Sequence, residues 1–297
     1  MAGHSRRSPL LWLTAVSLAL MMLVLPGCTF SEKAQAPVAS RPGMVLIPGG
    51  KFDLGALDDD LQARPCERPR HRVEVADFLL DIREVTVVDY ARAVAAGVVA
   101  EPVNRAHMPW HSELATWGED TKLEHPINGV TWAQADGYCR HRGARLPTEA
   151  EFEYALRTGG KAGLYPWGDD PAPPRGFGNH ACAECPPRYA EGNPIQGCED
   201  GIVQTAPVAS FSPDAHGVYD LSGNVWEWCS DWYWPEAYSV EGSADDLGSP
   251  PSREKILRGG GHHCVLAELR SSERHHKRWD DGSVFSGFRC AADITAP

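Results

Sequence analysis

The alternation of apolar and polar positions first marks three short helices. Thr86 stands three residues before Asp89, Thr131 three before Gln134, and Thr148 three before Glu151. Each pair supplies a hydroxyl that caps a helix start and a polar side chain that reaches back to the capping residue. Gly97, Gly143 and Gly159 supply the stops. In the second helix Trp132, Ala135 and Cys139 recur at spacings of three and four, so they share one buried face, and Cys139 reads as structural rather than reactive. Ahead of the helices, Val45-Leu46-Ile47 and Phe52-Asp53-Leu54 flank Pro48-Gly49-Gly50 and predict a hairpin over residues 44–55. Beyond Gly159 long periodic segments are few, and Gly, Pro, Asn and Trp are frequent. A compact domain with much irregular backbone follows. Its polar groups must be satisfied by side chains, ions and turns, a need that disulfides and bound calcium meet.

The N-terminal segment follows another pattern. Arg6 and Arg7 precede an apolar run over residues 10–25, interrupted by Thr14 and Ser17, and the run ends at Leu25-Pro26-Gly27-Cys28. A charged start, an apolar stretch and a small residue before cysteine read as a lipoprotein signal peptide over 1–27, with Cys28 acylated as the new N-terminus. Residues 28–43, rich in Ala, Pro, Ser and Gln, then form a flexible tether. Residues 44–297 remain as one domain, since no second linker and no internal repeat is evident. The expected location is the cell envelope, on the periplasmic side, with membrane contact through the lipid anchor only. Thr29, in place of an aspartate that would retain the protein at the inner membrane, favours the outer membrane.

Removing 1–27 takes away two arginines and no acids, so the formal charge moves from −12 to −14. The one basic cluster, 270–278, is short and interleaved with histidine, which disfavours nucleic acid as a partner. Nine cysteines, less Cys28, leave Cys66, Cys139, Cys182, Cys185, Cys198, Cys229, Cys264 and Cys290. That even set suits disulfides in an oxidising compartment and leaves their pairing open. Cys182 and Cys185 form a C-x-x-C, but a zinc ribbon needs a second such pair, so disulfide bonding is favoured over metal there.

A collinear series of motifs carries more. It runs through Gly43-Met44-Val45-Leu46-Ile47-Pro48-Gly49-Gly50, Glu84-Val85-Thr86, His125-Pro126-Ile127-Asn128-Gly129-Val130-Thr131-Trp132 and Arg145-Leu146-Pro147-Thr148-Glu149-Ala150-Glu151-Phe152-Glu153-Tyr154. It continues through Tyr165-Pro166-Trp167-Gly168, Thr205-Ala206-Pro207-Val208, Gly223-Asn224-Val225-Trp226-Glu227-Trp228, Leu257-Arg258-Gly259-Gly260 and Gly287-Phe288-Arg289-Cys290. Together these resemble the formylglycine-generating enzymes of the sulfatase-modifying-factor family. The resemblance implies an α+β, C-type-lectin-like fold with little regular secondary structure; it does not by itself imply activity.

Active members of that family oxidise a cysteine in a Cys-x-Pro-x-Arg motif with oxygen and a copper(I) ion held by two thiolates, the soft ligands that copper(I) prefers. Cys264 resembles the first thiolate, and Trp226 an aromatic of the active-site wall. The second thiolate would lie five residues on, where Leu269 stands. A serine usual after the paired glycines is Gly261 here, and an asparagine before the Gly-Phe-Arg motif is Phe285. The resemblance also implies a disulfide between Cys139 and Cys290. A second family disulfide would need cysteines near Leu156 and Ser271, where there are none, which leaves Cys229 and Cys264 as candidates for each other. Two calcium sets are implied as well: Asn179 and Asp200 with the His180 and Ile202 carbonyls, and Asp220 and Glu227 with the Gly223 and Val225 carbonyls. The plainer reading is that Asp200 and Asp220 cap turns.

His262, His263, His275 and His276 lie near Cys264 in sequence, and imidazole with thiolate can hold copper, zinc or iron. A strand would point His262 and His263 to opposite faces, so the expectation is solvated or hydrogen-bonded surface histidines. Two functions follow. A degenerate member would be a binding or maturation module for an exported protein or peptide, calcium-stabilised and without copper. The alternative is a copper-dependent formylglycine-generating oxidase, or a related oxidase, with a non-standard site at Cys264.

Overall fold

Each of the three threonine caps closes onto its helix in the computed structural model, which describes residues 41–104, 109–161, 163–187, 189, 192–239 and 252–294. The signal peptide, the acylation site Cys28 and most of the tether lie outside the described residues. Thr86, Thr131 and Thr148 accept the N–H of Asp89, Gln134 and Glu151 at 3.2, 3.2 and 3.1 Å, and start α1 (Val87–Ala95), α2 (Trp132–His141) and α3 (Glu149–Leu156). Gln134 and Glu151 complete the reciprocal bond to the capping N–H at 2.9 and 2.8 Å. Asp89 instead takes the Thr86 hydroxyl at 2.8 Å.

The expected hairpin over 44–55 does not form. Its two runs are strands, β1 (Met44–Ile47) and β2 (Gly50–Leu54), but they do not pair with each other. β1 pairs antiparallel with β4 (Phe78–Asp81), and β2 with β3 (His71–Val75). Ile47 faces Phe78 and Gly50 faces Val75, so one register runs unbroken through both ladders. Pro48-Gly49 is therefore a kink in a long two-stranded ribbon. Pro48 has no N–H for the ladder, and a Cβ on Gly49 would strike the Val75 carbonyl and Ala76 on the opposite strand.

The ribbon extends into a three-stranded sheet of order β1-β4-β9, where β9 is Ala291–Asp293. A second sheet has the order β7-β6-β5-β8, built from β5 (Trp226–Trp232), β6 (Glu254–Arg258), β7 (His275–Arg278) and β8 (Ser286–Gly287). β5 and β8 are parallel; the other pairs are antiparallel. Between α3 and β5 the described residues carry no helix or strand. Mixed sheets, few helices and long irregular stretches make this the α+β, C-type-lectin-like fold expected.

Alternation along β5 divides two apolar clusters. Trp226 and Trp228 join Tyr90, Tyr138, Phe288 and Cys264 on one face, while Cys229 joins Phe152, Tyr233 and Ile256 on the other. Cys229 and Cys264 are accordingly unbonded to each other, contrary to the pairing left open above. Cys139 and Cys290 are joined, tying α2 to the C-terminal strand, and Cys182 is joined to Cys198. Beside Cys290, the buried Arg289 donates to both oxygens of Glu227 at 2.7 and 2.6 Å, and to the Tyr219 and Asp220 carbonyls at 2.9 and 3.1 Å. Arg289→Met leaves the Glu227 charge buried without its partner and should cost about 3–5 kcal/mol of unfolding free energy, read from urea denaturation. Thr131→Ala, which removes one cap, should cost about 1 kcal/mol in the same assay.

Candidate functional site

β6 ends at Arg258, and Gly259 and Gly260 follow at φ +92° and +77°, a left-handed turn that residues with a side chain rarely adopt. The turn continues over residues 261–264. The Cys264 N–H donates to the Gly261 carbonyl at 2.9 Å, and the Gly261 N–H donates to the Cys264 sulfur at 3.2 Å. His262 and His263 therefore do not alternate as they would on a strand. Both are buried, not surface residues as expected, and their ring centroids lie 5.4 Å apart. The His262 Nδ1 sits 3.0 Å from the Asn224 carbonyl, which can only accept, so Nδ1 carries the proton and the Nε2 lone pair faces the interior. No described residue bonds that Nε2. His263 Nε2 lies 3.7 Å from the Cys264 sulfur.

Phe285 packs over this pair, 4.0 Å from the His263 ring, with His111 edge-on to it at 5.2 Å. Trp226, buried on β5, stacks on His275 of β7 at 4.6 Å. His276 points elsewhere, 3.0 Å from Glu254. Burial, with His262, His275, Lys277 and His111 adding to it, holds His263 well below the usual imidazole range. Burial lowers His262 to about 4. The pocket is thus a set of neutral imidazoles around one thiol.

The copper centre of the active enzymes does not fit these residues. Leu269 is buried, and both it and Cys264 pack against Gly260, where an added Cβ would lie 2.6 Å from Leu269 Cδ2 and 3.7 Å from Cys264 Cβ. Leu269, at the position where the resemblance expects the second thiolate, presents a methyl group, which cannot coordinate a metal.

The oxygen-rich sets differ from each other. Asp220 and Glu227 are brought together with Glu84, and all three are buried around Arg289. Burial, and then the charges of Asp220 and Glu227, push Glu84 well up. Burial also raises Asp220 and Glu227. Asp220 Oδ2 accepts the Ala209 N–H at 2.6 Å, and Glu84 Oε1 accepts from the Asn224 amide at 3.0 Å. Asp220 Oδ1 and Glu84 Oε2 are buried with no partner outside the cluster; a hydrogen bond between the two carboxyl groups lowers Asp220 against its burial. Three carboxyl groups against one guanidinium are a donor set that a hard cation fits. Asp220 and Asn224 hold left-handed backbone at φ +55° and +61°, and a Cβ on Gly223 would strike the Asn179 carbonyl, so this turn has little freedom.

The other set is less open. Asp200 accepts the His180 and Ile202 N–H groups, both at 2.9 Å, which is the turn-capping role. Asn179 donates to the Gln204 carbonyl at 2.8 Å, and its Oδ1 is buried without a described partner. Two residues with central roles were not singled out from the sequence. Glu84 was visible only inside its Glu-Val-Thr motif. Asn224 accepts the Ala206 N–H at 2.9 Å through its side chain and the His262 N–H at 2.9 Å through its carbonyl, so it joins the acidic cluster to the imidazole pocket.

With this geometry in place, residues 29–294 match the family described as "Sulfatase-modifying factor enzyme 1-like domain". The chain belongs to the sulfatase-modifying-factor family. It is 34% identical over 304 residues to the formylglycine-generating enzyme of Streptomyces coelicolor, covering 89% of this chain and 95% of that one. It is also 30% identical to a mouse protein described as "Inactive C-alpha-formylglycine-generating enzyme 2", over 96% of this chain and 97% of that one. Among solved structures, PvdO from Pseudomonas aeruginosa superposes with a TM-score of 0.67 at 26% identity, covering 86% of this chain and all of the other. Sulfatase-modifying-factor relatives of this chain thus include proteins described as active and as inactive.

His275, half-buried under Trp226, gives a test. Burial first, then Lys277, His276 and Arg64, lower it to about 3, against about 6.5 in an unfolded chain. Between those values the unfolded chain binds a proton that the folded one refuses, so stability falls as pH drops from about 6.5 toward 3. His275→Phe keeps the stack and should remove that loss, at most about 1.4 kcal/mol per pH unit. Urea midpoints at pH 7 and pH 4 for both proteins measure the difference.

Proposed function

We propose that this chain is a sulfatase-modifying-factor member without the two-thiolate oxidase centre, acting as a binding or maturation module on an exported protein or peptide. The observation that carries the reading is Leu269 beside Cys264 against Gly260. One sulfur among neutral imidazoles under Phe285 offers no linear pair of soft ligands for copper(I). In this reading a calcium ion balances Glu84, Asp220 and Glu227 and keeps the turn at 220–225 rigid. The Arg6-Arg7 start, the apolar run and Cys28 support a lipid-anchored protein of the cell envelope, facing the periplasm, at the outer membrane. The acidic charge balance, with its one short basic cluster over 270–278 interleaved with histidine, disfavours nucleic acid as a partner.

A second reading has its own support in the 3.7 Å approach of His263 Nε2 to the Cys264 sulfur. It is an oxidase in which an imidazole replaces the second thiolate. One experiment separates the two. Protein loaded with copper(I) is incubated aerobically with a Cys-x-Pro-x-Arg peptide, and the peptide mass is followed. The binding module gives no aldehyde, and Leu269→Cys gains copper(I) affinity by about tenfold or more because it restores the second soft ligand. Aldehyde formed by the unaltered chain and lost in Cys264→Ser would establish the oxidase instead.

A further inference from the structure

β4 ends at Asp81, and the chain then turns toward the Thr86 cap of α1. Between that turn, the end of α2 and the entering residues Pro42 and Gly43 lies an open cavity of about 330 Å³. Its charged walls are Asp81, Arg83, Asp89 and Arg142. Arg142, just past α2, donates to both oxygens of Asp81 at 2.6 and 3.0 Å, and Arg83 donates to Asp89 at 3.1 Å. The Glu84 carboxyl is engaged by Asn224 and Asp220 instead, while its carbonyl accepts from Arg83 at 3.4 Å. These bonds hold the walls in place, and each guanidinium still has N–H groups to give.

Tyr138 supplies the deciding group. Its ring stacks on Tyr90 at 5.8 Å and meets Phe288 edge-on at 5.4 Å, so the core fixes it. The side chain is 6% exposed and lines the cavity. The Tyr90 hydroxyl donates to the Ala100 carbonyl at 2.9 Å, whereas the Tyr138 hydroxyl has no hydrogen-bond partner among the described residues. It lies among the charges of Arg142, Asp89, Asp81 and Arg83, and burial pushes it up to about 12, so it keeps its proton and donates. A buried phenol ordinarily finds a partner. The spare donors of Tyr138, Arg83 and Arg142 call for an anionic acceptor. The walls are neutral as they stand, so that anion must bring a cation with it, and Asp89, with a side chain 26% exposed, is placed to hold one.

We propose that this cavity binds a free α-amino acid, with its carboxylate taken by Arg83, Arg142 and the Tyr138 hydroxyl and its ammonium by Asp89. The volume suits so small a ligand. Asp81 also accepts the Cys290 N–H at 3.0 Å, so a ligand on Arg142 bears on the joint between α2 and the C-terminal strand. Binding to the folded chain should therefore raise its Tm.

The full chain is titrated by calorimetry with glycine, L-alanine, L-valine and L-proline. For the acid that binds best, the titration is repeated with the amide that lacks its carboxylate and with the carboxylic acid that lacks its amine. One amino acid should bind per chain, and each analogue should bind about tenfold more weakly or worse. Tyr138→Phe keeps the ring stack and should weaken binding about fivefold, and Arg83→Gln about tenfold or more. Arg278→Gln, away from the cavity, should leave it unchanged. Circular dichroism verifies that each variant is folded before its titration is scored. The proposal is overturned if no amino acid binds, if the amine-free acid binds as tightly, or if Tyr138→Phe binds equally well.

Discussion

The fold turns on one buried guanidinium. Arg289 has no water to solvate it, and an uncompensated charge inside a protein costs several kcal/mol. It must therefore gather partners, and the partners come from distant parts of the chain: Glu227 on β5, and the Tyr219 and Asp220 carbonyls in the turn before it. The next residue extends the knot. The Cys290 sulfur is bonded to Cys139 on α2, and its N–H donates to Asp81 on β4 at 3.0 Å, a carboxylate that Arg142, just past the end of α2, also holds at 2.6 and 3.0 Å. Few hydrogen-bonded ladders cross this molecule, so the C-terminal Gly-Phe-Arg-Cys segment does the joining that a larger sheet does elsewhere.

The same guanidinium leaves a charge imbalance with functional consequences. One positive group faces Glu84, Asp220 and Glu227, and the remainder must be met by a retained proton or by a cation. Either choice is felt at Asn224, whose amide donates to Glu84 while its carbonyl fixes the tautomer of His262. Asn224, held in left-handed backbone, thus links the acidic cluster to the imidazole pocket. A shift of that turn would reorient His262, and with it the loop that carries Cys264.

Local chemistry was legible in the sequence and long-range pairing was not. Thr86, Thr131 and Thr148 announced helices because cap and reaching side chain lie within one turn of each other. Pro48-Gly49-Gly50 looked like a hairpin turn because the same residues serve a kink, and only the distant strands β3 and β4 decide between the two. Cys264 and Trp226 were found through motif position. The burial of His262 and His263 is not legible locally, because residues 261–264 form a turn where strand alternation would send the two rings to opposite faces. Glu84 and Asn224 have no local signature for their roles; their partners lie as far as 140 residues away in sequence.

The departures from the family pattern make one physical argument when read together. Gly261 replaces a serine, and a Cβ there would lie 3.0 and 3.1 Å from His263 Cε1 and Nδ1, so the glycine leaves room for that ring. Phe285 replaces an asparagine and covers the same ring at 4.0 Å. Leu269 replaces the second thiolate and buries its side chain beside Cys264. Loss of a ligand alone would leave a polar cavity around a thiol that water could enter. Here each replacement removes a polar group or adds apolar volume, Gly261 and Phe285 against His263 and Leu269 beside Cys264. These side chains are buried, and in a packed interior even one methylene of misfit is felt. Restoring copper chemistry would therefore require more than one sulfur: Phe285 and His263 would also have to make space for a substrate peptide.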